Sequence, residues 1–276
     1  MPHAILSDRA LIRIGGADAE HFLHNLVTCD VLTLAADELR AGALLSPQGK
    51  VVWSLLIGRE GAGYVLEVAA QDVADFAKRL KFYRLRAKVD ISESELVSAR
   101  VVWGEAPLPE SARRDTRFKS EAVHRGYAEV TEGEDAGWTA LRVAHGLAEA
   151  HLDYAYGEMF PHDVNLDQVG GVSFSKGCYI GQEVVSRMHH RGTARWRVMV
   201  ARGAGLVTGS AVMIDGRNSG TIGSVSGSSG LAIVRLDRVK DALDKGAEMI
   251  AGDVPVSISF PKDVSFTWPV ASAESA

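Results

Sequence analysis

Cysteine is scarce in this 276-residue chain: there are two, Cys29 and Cys178, far apart. They provide neither a disulfide framework nor a closely spaced metal-ligand set, and their rarity fits a reducing, cytosolic compartment. Long apolar runs are missing as well. The most apolar stretch, 51–57, is too short to span a bilayer and is followed by Arg59 and Glu60. The first residues lack a signal-peptide shape, because Ile5-Leu6 is interrupted by Asp8 and Arg9, and they lack the Arg- and Ser-rich character of a transit segment. A cytoplasmic protein without membrane contact is expected. There is no excess of positive charge either; the net charge of −5 gives no global reason to expect nucleic-acid binding. Gly15-Gly16 precede a helix, but the third glycine and the βαβ context of a dinucleotide site are absent. No internal repeat is visible.

What is present is ordinary globular composition, 46% hydrophobic and 24% charged, in a length that suggests about two domains. The most informative stretch is Lys176-Gly177-Cys178-Tyr179-Ile180-Gly181-Gln182-Glu183. Residues 170–175 before it read as a turn and a short extended segment. Residues 184–189 after it read as a helix with Val184, Val185 and Met188 on its apolar side. Cys178 is therefore expected in a strand-to-helix turn, near unpartnered backbone N–H groups and the positive end of a helix dipole. With Lys176 two residues away, both effects favour the reactive thiolate. The other reading of the same residues is a small apolar cysteine in a turn shaped by glycines.

Along the chain, 4–6 and 10–14 read as short strands around Ser7-Asp8-Arg9, and Asp18 can cap a helix over 19–27. His21 and His24 share that helix but lack a third ligand, so a solvated face is the expectation. Residues 44–57 read as two strands joined by Pro47-Gln48-Gly49, and 64–68 continues the sheet. Residues 71–85 have helical periodicity with a basic end at Arg79, Lys81, Arg84, Arg86 and Lys88; this is either a favourable helix terminus or an anion site. Strands are expected at 89–91 and 96–103, an exposed connection over 104–120, an acidic loop over 129–137, and a helix over 138–145 stopped by Gly146. From 176 to 202 there are six basic residues and one acid, Glu183, which reads as a solvated basic loop or as an anion site. Beyond Gly192 come short strands at 195–201, 211–214, 221–225, 231–234 and 254–260, with a short helix at 239–243 and a loose tail after Pro269. Such a series suggests a small β-barrel.

The octapeptide resembles the signature of the YgfZ family, folate-binding proteins related to the T-protein (aminomethyltransferase) of the glycine cleavage system and to a mitochondrial iron–sulfur assembly factor. Pro161, Asn165-Leu166, Gly171-Val172-Ser173-Phe174, Arg187 and Arg191-Gly192 also fit. So do Phe22-Leu23, Thr28, Asp30-Val31, the turn Ser46 to Lys50 and Arg84 to Val89, in the expected order. The resemblance implies an α+β fold. A T-protein-like folate-binding body with a central cavity, residues 1–190, would be followed by a small C-terminal β-barrel, residues 191–276. It implies tetrahydrofolate or a derivative as ligand, held near Trp138, whose indole suits a flat pterin. Arg9, at a position usually aromatic in the family, and Arg142 and His145 on the Trp138 helix complete the cofactor-binding candidates. Cys178 would be the functional thiol and Lys176 its activator, with Gly177, Tyr179, Gly181, Gln182 and Glu183 forming the motif. Gln182 and Glu183 are expected to hold the turn by reaching back to its backbone.

Three functions follow from the resemblance. The first is a folate-binding protein that supports assembly or repair of iron–sulfur clusters. Its partners would be assembly proteins or client iron–sulfur enzymes, and it would act on tRNA modification indirectly, without direct nucleic-acid contact. The second is a folate-dependent aminomethyltransferase or demethylase of the T-protein type. Against it, T-proteins carry a non-cysteine residue, often Asp, where Cys178 stands, and a glutamate where His145 stands. Their catalytic Asp aligns near Phe76, with Asp75 one residue off. The third is a binding module that keeps the pocket without chemistry.

Overall fold

The structure is a computed structural model that describes residues 2–109, 111–128, 131–135, 137–192 and 194–269. The expected tail after Pro269 and part of the expected acidic loop, at 129, 130 and 136, lie outside the described residues. The chain runs β1 (His3–Gly15), α1 (Ala19–Leu26), β2 (Glu38–Leu45), β3 (Val51–Glu60), β4 (Gly63–Ala69), α2 (Val73–Arg84), β5 (Asp90–Trp103), β6 (Arg113–Asp115) and β7 (Val123–Ala128). These strands close a barrel in the order β1-β4-β3-β2-β6-β7-β5. Then come α3 (Trp138–His145), α4 (Gln182–Arg191), β8 (Trp196–Arg202), β9 (Ala211–Ile214), β10 (Arg217–Ser226), β11 (Ser229–Arg235), α5 (Leu236–Lys245), β12 (Met249–Ala251), β13 (Val254–Pro255) and β14 (Ser257–Ser259).

Two pairs of expected short strands are single long ones. Residues 4–6 and 10–14 merge into β1, and 89–91 and 96–103 into β5. The polar residues that suggested a break are absorbed by register shifts between Leu6 and Arg9 and between Ala10 and Ile12. At the second shift, Leu11 N–H is satisfied by the Ser94 hydroxyl at 3.0 Å. The stretch 104–120 is not a purely exposed connection: it contains β6, and Asp115 and Phe118 are fully buried. Asp115 is held there by Arg117, two residues on, and by Arg125 of β7.

Helix α1 buries Ala19, Phe22, Leu23 and Leu26 against the barrel. Asp18 sits at its N-cap but does not cap it; the carboxylate accepts Lys88 N–H at 2.7 Å instead. Helix α3 ends as expected, with Gly146 left-handed and its N–H returned to the last turn.

In the second sheet the order is β13-β12-β9-β10-β11-β8-β14. Its two edges, β13 and β14, are consecutive in the chain and flank Val256, so the sheet curls on itself around a core that includes Met199, Val212, Val234 and Val239. Strand β12 was not legible in the sequence, and α5 is longer than the 239–243 expected. A shared core joins the two halves: Leu39, Ala41, Leu45 and Leu56 of the barrel pack with Val198, Val200, Leu231 and Ile233 of the second sheet. No helix among the described residues is long and apolar enough to cross a membrane.

Candidate functional site

Between α3 and α4, residues 147–181 form turns and isolated bridges without a helix or strand. Irregular segments of such length within a compact body are commonly functional. This one lines a cavity with its first half and carries Cys178 near its end. Cys178 is exposed. It lies three residues before Gly181, the N-cap of α4, and no strand precedes it. The expected strand-to-helix turn is thus a loop-to-helix turn, and the thiol stands ahead of the helix rather than within its first turn.

The Cys178 loop is fastened on two sides. Lys176 is buried and turns its ammonium inward, donating to the carbonyls of His24, of Val27 and, at 3.0 Å, of Cys29. An ammonium has three N–H donors, and all three are used. The acceptors belong to the end of α1, where the helix dipole favours a cation. The same ammonium lies 4.9 Å from the centre of the Tyr179 ring. Burial lowers its pKa to about 8, against the opposing influence of Cys29 and Asp30. The residue expected to activate Cys178 is therefore spent on α1, and its position makes it a pin for the loop.

The second fastening is at Gly181. Its φ is +79°, and a Cβ there would stand 2.6 Å from Ser46 O and 3.0 Å from Gly49 Cα. Gly49, at φ +81°, closes on Val184 in the same way. The β2–β3 turn and the start of α4 thus approach to backbone contact, which only glycine permits. Gln182 does reach back: its Oε1 accepts Tyr179 N–H at 3.3 Å. Glu183 is exposed in the first turn of α4, where its charge suits the dipole. Tyr179 is buried, its hydroxyl has no hydrogen-bond partner among the described residues, and burial pushes its pKa up to about 12. A Cβ on Gly177 would meet nothing within 4 Å. The other cysteine is unlike Cys178. Cys29 is fully buried against Gly42, and burial pushes its thiol up to about 11.

The cavity, about 80 Å³, lies between the barrel wall and the segment after α3. Its apolar wall includes Ala41, Leu55, Leu56, Leu147, Val164 and Leu166, and Ser54, Tyr154 and Tyr156 add hydroxyls. Its polar wall is an ion network. Arg9 donates to Glu149 at 3.0 Å, and Arg125 donates to Glu67 at 2.8 Å and to Asp115 at 2.9 Å. Arg117 holds Asp115 at 2.7 and 2.9 Å, and Tyr127 donates to Glu67 at 2.8 Å. Burial alone would raise the Glu149 carboxyl, but Arg9 and Arg142 outweigh it and hold the group well below the usual range. Asp115 is likewise held at about 2, with Arg117 and Arg125 overcoming burial. Arg9 Nε is buried without a hydrogen-bond partner among the described residues.

Of the four residues expected to contact a pterin, only Arg9 lines this cavity. Trp138 is buried behind it, packed with Phe118 and Trp103, with the Arg125 guanidinium 5.0 Å from its ring. Arg142 donates to Leu147 O at 2.9 Å, Asp153 at 3.0 Å and Ser224 at 2.9 Å, and so joins the segment after α3 to β10. His145 contacts Asp263 at 3.1 Å and Glu121 at 3.3 Å. None of these three lines the cavity; Trp138 and Arg142 touch lining residues, Arg125 and Leu147, and His145 does not. Glu67, Arg117, Arg125, Glu149, Tyr154 and Tyr156 do line the cavity, and sequence reasoning missed them. The basic run 176–202 is not one anion site either: Lys176 is turned inward, and Arg197 is bound to Asp167 at 2.6 and 3.0 Å.

Residues 195–266 match the family model for the CAF17 C-terminal beta-barrel domain. The chain is 28% identical to the iron–sulfur cluster assembly factor IBA57 homolog, mitochondrial, of Coccidioides immitis, over 87% of this chain and 72% of that protein. It is 31% identical to the tRNA-modifying protein YgfZ of Vibrio atlanticus, over 72% of this chain and 68% of that protein. The crystal structure of glycine cleavage system aminomethyltransferase T from Bartonella henselae superposes with a TM-score of 0.73, covering 96% of this chain and 88% of that one. At 14% identity that likeness speaks for the fold alone, and it agrees with the expected T-protein-like α+β architecture. The two sequence relatives belong to one family, and the chain carries its Lys-Gly-Cys-Tyr-x-Gly-Gln-Glu stretch as a clamped, cysteine-bearing loop: this protein belongs to the YgfZ family.

Proposed function

We infer that the protein binds a reduced folate in the barrel cavity and supports assembly or repair of iron–sulfur clusters in client enzymes through Cys178. The observation that carries this reading is the exposed thiol on a loop pinned at both Lys176 and Gly181, in a chain whose relatives are named for iron–sulfur assembly and tRNA modification. One thiolate is too few to hold a cluster, and Cys29 is sealed in the core, so Cys178 would supply one ligand beside those of a partner. Effects on tRNA modification would follow through client iron–sulfur enzymes, without nucleic-acid contact. A cytoplasmic setting keeps both cysteines as thiols.

The cavity's chemistry suits a pterin. Glu67 and Glu149 offer acceptor lone pairs for an amino-pyrimidinone edge, Arg9 Nε makes no hydrogen bond among the described residues although it lies 3.4 Å from the Asp8 carboxylate and 3.8 Å from that of Glu67, and Tyr154, Tyr156 and Leu56 line the space around it. A bound reduced folate would supply a one-carbon carrier and an oxidisable pterin. At about 80 Å³ the space is below the roughly 300 Å³ of small-molecule sites, so entry requires the Arg9–Glu149 contact to part. One-carbon transfer of the T-protein kind is not favoured. Both carboxylates lining the cavity are held by guanidinium groups, and Asp75 is exposed on α2. The test is calorimetric titration with tetrahydrofolate. Wild type should bind, and Glu149→Ala should bind about tenfold more weakly, the loss of one charged hydrogen-bond acceptor. Absence of binding to the folded wild type would overturn the folate assignment.

A further inference from the structure

The basic end of α2 has no part in the site above. Residues 78–88 hold Lys78, Arg79, Lys81, Arg84, Arg86 and Lys88 and no acid, in a chain whose net charge is −5. All six are exposed. Lys81 pairs with Glu93 at 2.7 Å, and the other five have no carboxylate partner among the described residues. Between these cations stand two large apolar side chains in water: Phe82 is 68% exposed and Leu85 is 86% exposed. Leu85 directly follows α2 at φ +45° and ψ −107°, a positive-φ conformation that leucine adopts only at a cost of about 1 kcal/mol or more. A turn closed by Ala87 N–H to Arg84 O at 2.8 Å holds it there. Strain that projects a leucine into solvent stabilises nothing inside the protein. Arg79 is propped 5.8–6.0 Å from the rings of Trp53, Phe82 and Tyr83. Trp53 and Tyr83 pack on the same core as Ile180, two residues from Cys178, so patch and thiol loop share one scaffold.

We propose that this face docks an acidic protein whose carboxylates surround an apolar recess that receives Phe82 and Leu85. Five unpaired cations select an acidic partner. The apolar pair selects protein over nucleic acid: a leucine has no ring to stack on a base, and a phosphate backbone gives it nothing to bury against. A membrane surface is disfavoured because an interfacial helix lays its whole apolar face in the lipid, whereas Phe76, Ala77 and Leu80 of α2 are buried in the barrel core. This proposal is independent of the folate reading.

The test is photo-crosslinking of the full-length protein in its own cells, with p-benzoylphenylalanine in place of Phe82 and, as control, in place of Leu152, which is 56% exposed elsewhere. The expected result is an adduct at 82, absent at 152, joined to an acidic segment of a protein and lost when Arg84→Glu and Lys88→Glu are added. Against that purified partner, Leu85→Ser should weaken binding about tenfold without changing the melting temperature, and added salt should weaken it further. An adduct to RNA or lipid, an adduct indifferent to charge reversal, or no adduct beyond the control would overturn the proposal.

Discussion

Replacing Lys176 with methionine separates the two roles a lysine two residues from Cys178 can have. If it activates the thiol, Lys176→Met should slow alkylation of Cys178, and stability should hardly change. The structure gives it three acceptors at the end of α1 instead: His24 O, Val27 O and Cys29 O. A hydrogen bond to a charged group contributes roughly 1.5–3 kcal/mol, and a buried carbonyl left without its donor costs about 1–3 kcal/mol. Removing the buried ammonium returns part of its desolvation penalty, because among the described residues it forms no ion pair and only the more distant Asp30 carboxylate offsets its burial. The net loss expected is about 2–4 kcal/mol. Urea unfolding measures it directly. In parallel, iodoacetamide should label Cys178 at a rate no lower than in wild type, since the loop is freed and no activating charge has been lost. Cys29 should become reactive as the end of α1 loosens. Wild-type stability combined with tenfold slower labelling of Cys178 would refute the pin and restore the activator.

Gly181→Ala should destabilise by about 2–4 kcal/mol, from left-handed strain plus a backbone clash with Ser46 O, read as a lowered melting temperature. His162 is buried, neither ring nitrogen has a hydrogen-bond partner among the described residues, and burial lowers its pKa from 6.5 to about 4. The unfolded chain takes up this proton first, so stability is complete above pH 6.5 and falls by roughly 3 kcal/mol on acidification to about pH 4. His162→Phe should flatten that part of the stability–pH curve, and an unchanged slope would contradict it. Glu149 is held well below its ordinary 4.5, so its contribution is present above that pH and is lost as pH falls further. Glu149→Gln should reduce the proton uptake on unfolding in that acidic window by about one.

The parts legible in the sequence were those encoded locally. Gly146 marked a helix end, Pro47-Gln48-Gly49 marked a hairpin, and the spacing of apolar residues marked α1, α2 and most strands of the second sheet. A central cavity was expected from the resemblance, but its polar wall was not legible, because it is assembled from β1, β4, β7, the β6–β7 connection and the segment after α3. Asp115 and Arg117 looked like solvated charges, and only the pairing of β6 with β7 brings Arg125 to Asp115. Lys176 shows the same limit at short range. Two residues of separation place a lysine near a cysteine along the chain, but not the direction its ammonium takes. Burial behind Arg125 likewise turned Trp138 from a candidate ligand contact into a support for the wall.

The pinned loop presents the thiol of Cys178 to solvent. The direct measurement is the activity of several iron–sulfur enzymes in cells deleted for this gene and supplied with either wild type or Cys178→Ala. Because Cys178 is exposed, the variant should fold and bind tetrahydrofolate like wild type. Wild type should restore the enzymes and Cys178→Ala should not. Equal rescue by the two would contradict this.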